Sequence, residues 1–540
     1  MIGLMQNQPL LISTILEHAH RWHGTQRVVG YTTEGDLSEV IFAQIAKRAA
    51  SLANSVLSHG MKLGSSAGII AMNNHRHLEL WYGLSGVGAI AHSINPRLTP
   101  EQVAYVINDA GDEMLFIDTP FIPLVAAILQ HTPKVKRVVI LTDDSKMTES
   151  IPFPAVSYES YIAGHSDTIE WPMFDEQSAN AICHTSGTTG RPKGVRYSHR
   201  SNVLHALAVS AKDVLGVGAL DCVLPMVPMF HANGWGMPYG CLAHGAALVF
   251  PGFKMDGPSL LDLVLEQGVT VALGVPTICS VLLEEASKRG SGLGKLEKVA
   301  IAGSAAPPKM IEEFAGYGVE VIHAWGMTET SPIGTANADT PQTAFLPKED
   351  KAKIRALQGR PVFGVDLKIV DESGHELPRD GVSVGRLFVR GAWVIQRYHG
   401  QDSDCVDAEG WFDTGDIASI SEEGFLFLTD RAKDLIKSGG EWISSVELEN
   451  IASSHPQIAA VAAIGIAHPQ WDERPLLIVV PSQPETPLRK GDVINFIASK
   501  VARISVPDDV IFVKELPLGA TGKVQKTKLR SQYKGYFGVH

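Results

Sequence analysis

The chain has 540 residues and a formal net charge of −12, with 46 Lys and Arg against 58 Asp and Glu. At roughly 150 residues per domain this is a multidomain length, and 45% hydrophobic residues are too many for a disordered chain. The acidic balance excludes a nucleic-acid coat or a basic membrane-surface protein, so a polyanionic ligand would need local donors and a metal.

The five cysteines, Cys183, Cys222, Cys241, Cys279 and Cys405, are scattered and form no CxxC pair. Neither a zinc site nor a disulfide framework is expected, and reduced thiols point to the cytoplasm. The longest apolar stretches, such as 458–467, are about half of the ~20 residues that span a bilayer, so no membrane span is expected. The first Lys or Arg is Arg21 and the chain ends Gly538-Val539-His540; neither a signal peptide nor the peroxisomal tripeptide is expected.

In chain order, residues 13–22 predict an opening helix. Thr14 and Glu17 have capping-box spacing, and Ile15, Leu16 and Ala19 share an apolar face. From there to about residue 330, strands are expected at 67–72, 114–117, 138–142, 181–184, 247–250, 271–275, 299–302 and 319–323. Helical patterns intervene, as at 259–267 and 309–315. This alternation predicts an α/β fold of parallel sheets covered by helices. Near 360 the texture changes: runs at 366–370 and 386–390, separated by Asp371-Glu-Ser-Gly374 and Arg379-Asp-Gly381, predict a small antiparallel β region. After Asp430 a helix at 445–453, strands at 459–466 and 476–480 and a helix at 491–502 predict a compact α+β unit. No 20–50-residue repeat is visible.

The strongest chemical signal is His184-Thr-Ser-Gly-Thr-Thr-Gly190-Arg-Pro-Lys193-Gly-Val195, directly after an expected strand. Its glycines let backbone approach an anion, its hydroxyls and N–H groups can wrap phosphate oxygens, and Lys193 adds a point charge. It is not a Walker A loop, because Pro192 stands where the second glycine belongs. Gly64-Ser-Ser66-Ala-Gly68 is a literal GxSxG, but it leads into an expected strand, whereas a nucleophile elbow turns from strand into helix. His18, His20 and His23, and separately His75 and His77, lack HExxH spacing; surface or capping roles are expected for them.

Further strings follow in order: Pro228-Met-Phe-His231-Ala-Asn-Gly-Trp235, Gly303-Ser-Ala-Ala-Pro307, Trp325-Gly-Met-Thr-Glu329, Trp411-Phe-Asp-Thr-Gly-Asp416, Asp430-Arg-Ala-Lys-Asp434, Lys437-Ser-Gly-Gly-Glu-Trp442 and Gly519-Ala-Thr-Gly-Lys523. With the phosphate loop, over nearly the whole chain, they resemble the adenylate-forming enzymes: acyl-CoA synthetases, peptide-synthetase adenylation domains and luciferases.

The resemblance implies a reaction in two halves. A carboxylic acid and ATP would give an acyl-adenylate and diphosphate; a thiol would then take the acyl group and release AMP. It implies that Thr185, Ser186, Gly187, Thr188, Thr189 and Lys193 hold the phosphates, with Thr185 and Glu329 around Mg²⁺, a hard cation suited to oxygen ligands. Gly303, Ser304, Ala305, Ala324, Trp325 and Gly326 would lie against adenine, Thr328 on the α-phosphate, and Asp416 on the ribose hydroxyls with Arg431 nearby. Many relatives carry Tyr at the Trp325 position. Lys523 would reach both carboxylate and α-phosphate, cancelling their repulsion, while Lys526 and Lys528 would be solvated. His231 and Glu329 complete the implied catalytic set.

The family plan divides the chain into residues 1–432, a large N-terminal domain of helix-covered sheets plus the small β region, and 433–540, a mobile α+β domain carrying Lys523. Lys433 takes the hinge position. Lys437, Gly439, Gly440, Glu441 and Trp442 would serve coenzyme A in a second pose. No carrier-protein site follows, so free coenzyme A is the expected thiol. No aspartate pairs with an amino group at Pro228–Ala232, so an uncharged acyl chain is expected, bordered by His231, Trp235, Gly303 and Pro332. Within the family the strings around Trp235 and Trp325 resemble ligases of short and medium fatty acids, with the near-isosteric thioether acid 3-(methylthio)propionate as first candidate and medium-chain fatty acids as the alternative. A luciferase-like oxygenase and a non-catalytic nucleotide binder are the rival classes. A homodimer is common in this family.

Overall fold

A computed structural model describes residues 3–147, 151–185, 191–431, 433–439, 441–482, 488–519 and 523–538; counts below refer to these. Two large sheets carry the first two thirds of the chain. One has seven strands in the order Ala155–Ser157, Arg137–Ile140, Asp112–Ile117, Ser66–Ile70, Ile90–Ser93, Ala179–His184, Gly194–Ser198, all neighbours parallel except the last pair. The other has nine: Arg360–Pro361, Ile333–Ala336, Glu320–Gly326, Lys298–Ile301, Val271–Gly274, Cys222–Pro225, Ala247–Phe250, Arg27–Tyr31, Leu37–Ile41. Its centre is parallel and its margins antiparallel. Ser66–Ile70 is buried at every residue, as a strand covered on both faces must be. The expected strands are all present, with ends shifted by a residue or a few.

The small antiparallel region is a four-stranded sheet, Val365–Val370, Gly385–Gly391, Phe412–Ile420 and Leu426–Arg431. The following unit is a five-stranded sheet. Its long hairpin, Ile458–His468 against Asp472–Pro481, is flanked by Glu441–Ile443, Ile436–Ser438 and a parallel Asp509–Phe512. The Ser445–Ser453 helix covers it through Leu448 and Ala452, both fully buried. The fold is therefore α/β, a large N-terminal assembly of helix-flanked sheets followed by a small α+β unit.

Three expectations need correction. The opening helix runs Ile12–His23, and Leu11 starts it without a side-chain cap. The Thr14 hydroxyl donates to the Leu11 carbonyl at 2.7 Å and so is spent on backbone, which removes the capping box. The helix expected to reach 502 ends as Lys490–Ala498, where the Ser499 hydroxyl turns back to the Phe496 carbonyl at 2.9 Å and competes with continuation. His75 and His77 are buried rather than superficial. The His77 imidazole spans Met72 O and Ser93 Oγ, both at 3.1 Å.

Candidate active site

A cavity of about 1710 Å³ opens where the large sheets, the four-stranded sheet and the small unit meet. Its wall includes Thr185, Lys193, His231, Trp235, Gly303, Ser304, Ala305, Ala324, Trp325, Gly326, Thr328, Glu329, Pro332, Asp416, Arg431, Lys433 and Lys523. Residues from strings hundreds of positions apart in sequence thus face one space. Ser186–Thr189 and Gly440 lie outside the described residues.

The carboxylate of Asp416 anchors one side. It stands on Phe412–Ile420 opposite Arg431 of the neighbouring strand, so the sheet register itself sets the pair. Arg431 Nε lies 3.1 Å from Oδ1, and Trp325 Nε1 donates to Oδ2 at 2.9 Å. Burial raises the Asp416 pKa, opposed by the Arg431 charge and the Trp325 hydrogen bond. The indole therefore supplies a hydrogen-bond donor to this carboxylate.

Close packing explains two glycines. A Cβ at Gly326 would stand 1.8 Å from the Pro332 carbonyl oxygen, so only glycine fits the bulge between Trp325 and Gly326. Gly303 has φ +86°, and its missing Cβ faces Val275 and the Lys523 Cε, 3.9 Å away. The loop is steadied behind by Ala306 N, which donates to His323 Nε2 at 3.2 Å.

Glu329 is buried, and Tyr398 donates its phenol to Oε1 at 2.7 Å. The Lys193 ammonium sits 4.7 Å from the Tyr398 ring centroid. Thr328 is held by Tyr197, whose hydroxyl donates to the Thr328 carbonyl at 2.7 Å. Thr185 and Lys193 clasp each other: Thr185 N donates to the Lys193 carbonyl at 2.9 Å, and Lys193 N to Thr185 Oγ1 at 3.2 Å. His184, next to Thr185 in the chain, belongs to a run of imidazoles and carboxylates that is fully buried at His92 and Asp112 and partly exposed at Asp109. His92 Nδ1 is 2.7 Å from Asp112, His92 Nε2 is 3.0 Å from His184 Nδ1, and His184 Nε2 is 2.9 Å from Asp109. Burial pushes the His184 imidazole down to about 4.

The His231–Gly236 turn is forced into the left-handed region at Ala232, Gly234, Trp235 and Gly236, with φ of 38°, 53°, 54° and 74°. A tryptophan there is unfavourable by itself and persists only because the surroundings over-determine it. It places Trp235 on the cavity wall beside His231, whose imidazole burial and the Lys523 charge push down to about 4. Trp235 packs against an apolar part of the lining: Val209, Val214, Leu215, Leu273, Ala300 and Ile333.

Lys523 enters from the small unit on a hairpin closed by Gly519 N to Lys523 O at 2.7 Å and by the Leu518–Val524 bridge. Enclosure by protein, with the Arg431 guanidinium nearby, pushes its ammonium down to about 8, although water in the wide cavity still reaches the residue. Lys526 departs from expectation. It is buried against Glu449, 2.7 Å away, with its side chain only 12% exposed; Lys528 is exposed as expected. Lys437, Gly439 and Trp442 do not reach the cavity wall. Trp442 is exposed with the Lys437 ammonium 5.8 Å from its ring centroid, and Gly439 packs on Trp471. Glu441 begins the strand that carries Trp442. Tyr398, the His92–His184 run and Lys526 were missed by the sequence reading because each is defined by a partner far away in the chain.

Residues 16–399 match the AMP-binding enzyme family and residues 447–523 the AMP-binding enzyme C-terminal domain. The chain is 48% identical over 536 residues to 3-methylmercaptopropionyl-CoA ligase of Ruegeria lacuscaerulensis, covering 99% of each. It is 47% identical over 534 residues to medium-chain-fatty-acid–CoA ligase of Ectopseudomonas oleovorans, covering 99% of this chain and 98% of the relative. An anthranilate CoA ligase solved in complex with anthranoyl-AMP superposes with a TM-score of 0.87 at 25% identity, over 98% of this chain and 99% of that one. The chain belongs to the AMP-binding enzyme family, within its acid–CoA ligases.

Proposed function

We propose that this ligase activates a short to medium uncharged carboxylic acid, with 3-(methylthio)propionate first, and transfers it to coenzyme A. The observation that carries this reading is the apolar limb of Trp235, Val209, Val214, Leu215, Leu273, Ala300 and Ile333, which lines the same cavity as Lys523. An apolar chain fits that limb while its carboxylate meets the cation. The names of the two relatives point the same way. A medium-chain fatty acid is the second reading, because a thioether and a methylene differ little in size and the limb offers no charged partner to tell them apart.

In the first half-reaction a carboxylate oxygen bonds to the α-phosphorus of ATP, and the bond to the β-phosphate oxygen breaks, releasing diphosphate. Lys523 steadies both anions, Asp416 accepts from the ribose hydroxyls with Arg431 alongside, and Gly303–Ala305 and Ala324–Gly326 take the base. Thr328 lies by the α-phosphate, and the loop from Thr185 to Lys193 takes the remaining phosphates. Thr185 and Glu329 offer oxygen donors at the cavity wall, which suits Mg²⁺; the ion would supply charge neutralisation of the phosphates. In the second half the thiol sulfur bonds to the acyl carbon and AMP leaves. For this step residues 433–540 turn about Lys433 relative to residues 1–432, bringing Lys437 and Gly439–Trp442 to coenzyme A. That Lys437, Gly439 and Trp442 lie off the cavity in the present arrangement agrees with two poses. His231 and Pro332 border the acyl carbonyl. A homodimer and a cytoplasmic location complete the reading; the five free cysteines support the latter.

The test is a panel of straight-chain acids, 3-(methylthio)propionate and aromatic acids with ATP, Mg²⁺ and coenzyme A, scored by AMP release and thioester mass. Turnover concentrated in short or medium aliphatic and thioether acids is expected. Preference for aromatic or long-chain acids would overturn the assignment.

A further inference from the structure

Lys526 is a buried cation that the reaction as described leaves without a task. It opens the Lys526–Gln532 helix, three residues beyond Lys523. Its ammonium is 2.7 Å from Glu449 Oε1 and 2.6 Å from Ser445 Oγ. Ser445 is fully buried and passes the connection on: its Oγ and its backbone N both lie 2.6 Å from Asp430 Oδ2. A hydroxyl can donate to a carboxylate while accepting from an ammonium, so the geometry uses Ser445 Oγ in both directions. The other oxygen of Asp430 accepts from Arg431 N at 2.7 Å, and Arg431 pairs with Asp416.

An unbroken line of polar contacts thus runs from the base of the Lys523 hairpin to the Asp416 carboxylate. Asp430 is the last residue but one of the four-stranded sheet, whereas Ser445 and Lys526 belong to helices of the small unit. The line therefore crosses Lys433. It is reinforced where the Ser444 hydroxyl donates to the Thr429 carbonyl at 2.5 Å.

We propose that Lys526 and Ser445 are positioning residues for adenylate formation: through Asp430 they pin the hairpin of Lys523 to the nucleotide side of the cavity. The role rests on the proposed ligase function and is specific to its first half-reaction. Turning the small unit about Lys433 separates Ser445 from Asp430, so the contacts do nothing for thioester formation.

Ser445→Ala is the discriminating variant, because it removes the hydroxyl that joins Lys526 to Asp430 while the Ser445 backbone N stays on Asp430 and the Lys526–Glu449 pair inside the small unit stays intact. Acid-dependent exchange of diphosphate into ATP is expected to fall about tenfold, the effect of one lost hydrogen bond to a charged group. Transfer from supplied acyl-adenylate to coenzyme A stays within about twofold of wild type, since that half-reaction does not use the contact. Lys526→Met deepens the loss, and Lys526→Arg restores most of the exchange because it keeps the charge. Thermal unfolding is recorded alongside. Equal loss in both half-reactions, or exchange unchanged in Ser445→Ala, overturns the role while wild-type ligase activity leaves the function standing. Absence of acid-dependent exchange in the wild type overturns both.

Discussion

The charge on Lys523 gives the sharpest handle on the chemistry. Enclosure in the cavity, with Arg431 beside it, holds the ammonium near 8, below the usual lysine range. The proposed role needs the protonated form, so raising the pH removes the catalyst's charge. With a pKa of about 8, about a tenth of the free enzyme keeps the charge one pH unit higher and about a hundredth two units higher. The apparent kcat/KM for adenylation reports the free enzyme and is expected to fall about tenfold per unit beyond that point. Bound ATP sets several negative charges beside the ammonium and tightens its hold on the proton; the falling limb of kcat therefore lies at higher pH than that of kcat/KM. The assay is acid-dependent diphosphate exchange from about pH 6.5 to about pH 10. Lys523→Arg keeps a charge that does not titrate in this range, so the limb vanishes from whatever activity remains, and Lys523→Ala loses about 10²-fold or more. A flat wild-type profile, or the same limb in Lys523→Arg, refutes the reasoning.

Other perturbations separate the remaining parts. Lys433→Pro is expected to spare diphosphate exchange and to slow thioester formation, because a fixed φ blocks the torsion a hinge needs; equal loss of both counts against alternation. Asp416→Asn removes the carboxylate that accepts from Trp325 at 2.9 Å and pairs with Arg431 at 3.1 Å. As Arg431 is 43% exposed, the ion pair itself contributes little. The loss is mainly of hydrogen bonds to a charged acceptor, raising the KM for ATP about 10- to 100-fold; an unchanged KM would remove Asp416 from the nucleotide site. Trp235→Gly suits the local φ of 54° and opens the apolar limb. The ratio of kcat/KM for a long acid over a short one is expected to rise about tenfold, and an unmoved ratio would mean that another wall sets chain length.

Much of this was legible in the sequence for a simple reason: strands buried on both faces are short apolar runs, and nucleotide-binding turns are local strings of Gly, Ser and Thr. The sheets and most of the cavity wall follow from those patterns together with the family resemblance. Contacts made by folding were not legible. Nothing near Glu329 announces Tyr398 as its partner, and nothing near His184 announces His92. The misreading of Lys526 has the same origin. In a polar stretch with Lys523 and Lys528 it has the signature of a solvated lysine, and only the arrival of Glu449 and Ser445 makes burial of its charge tolerable.

The net charge of −12 opposes a nucleotide, yet screening confines that field to about 8–10 Å at physiological salt, so the local charges decide. Along the cavity wall Arg97, Arg191, Lys193, Arg431, Lys433, Lys523, Lys526 and Lys528 stand against Asp109, Glu329, Asp416, Asp430, Asp434 and Glu449. They come from different bodies. Lys193, Arg431 and Asp416 are built into sheets of the large assembly or the turn beside them, whereas Lys523 arrives from the small unit on its hairpin. In the proposed two-pose mechanism, withdrawing that unit removes the cation proposed to join two anions but leaves the Asp416–Arg431 pair in place. The acyl-adenylate would then keep its ribose partners while the group that formed it departs. On that proposal the path back to ATP would lose its catalyst at the moment the thiol needs room, which would favour forward transfer without any new residue at the reacting carbon.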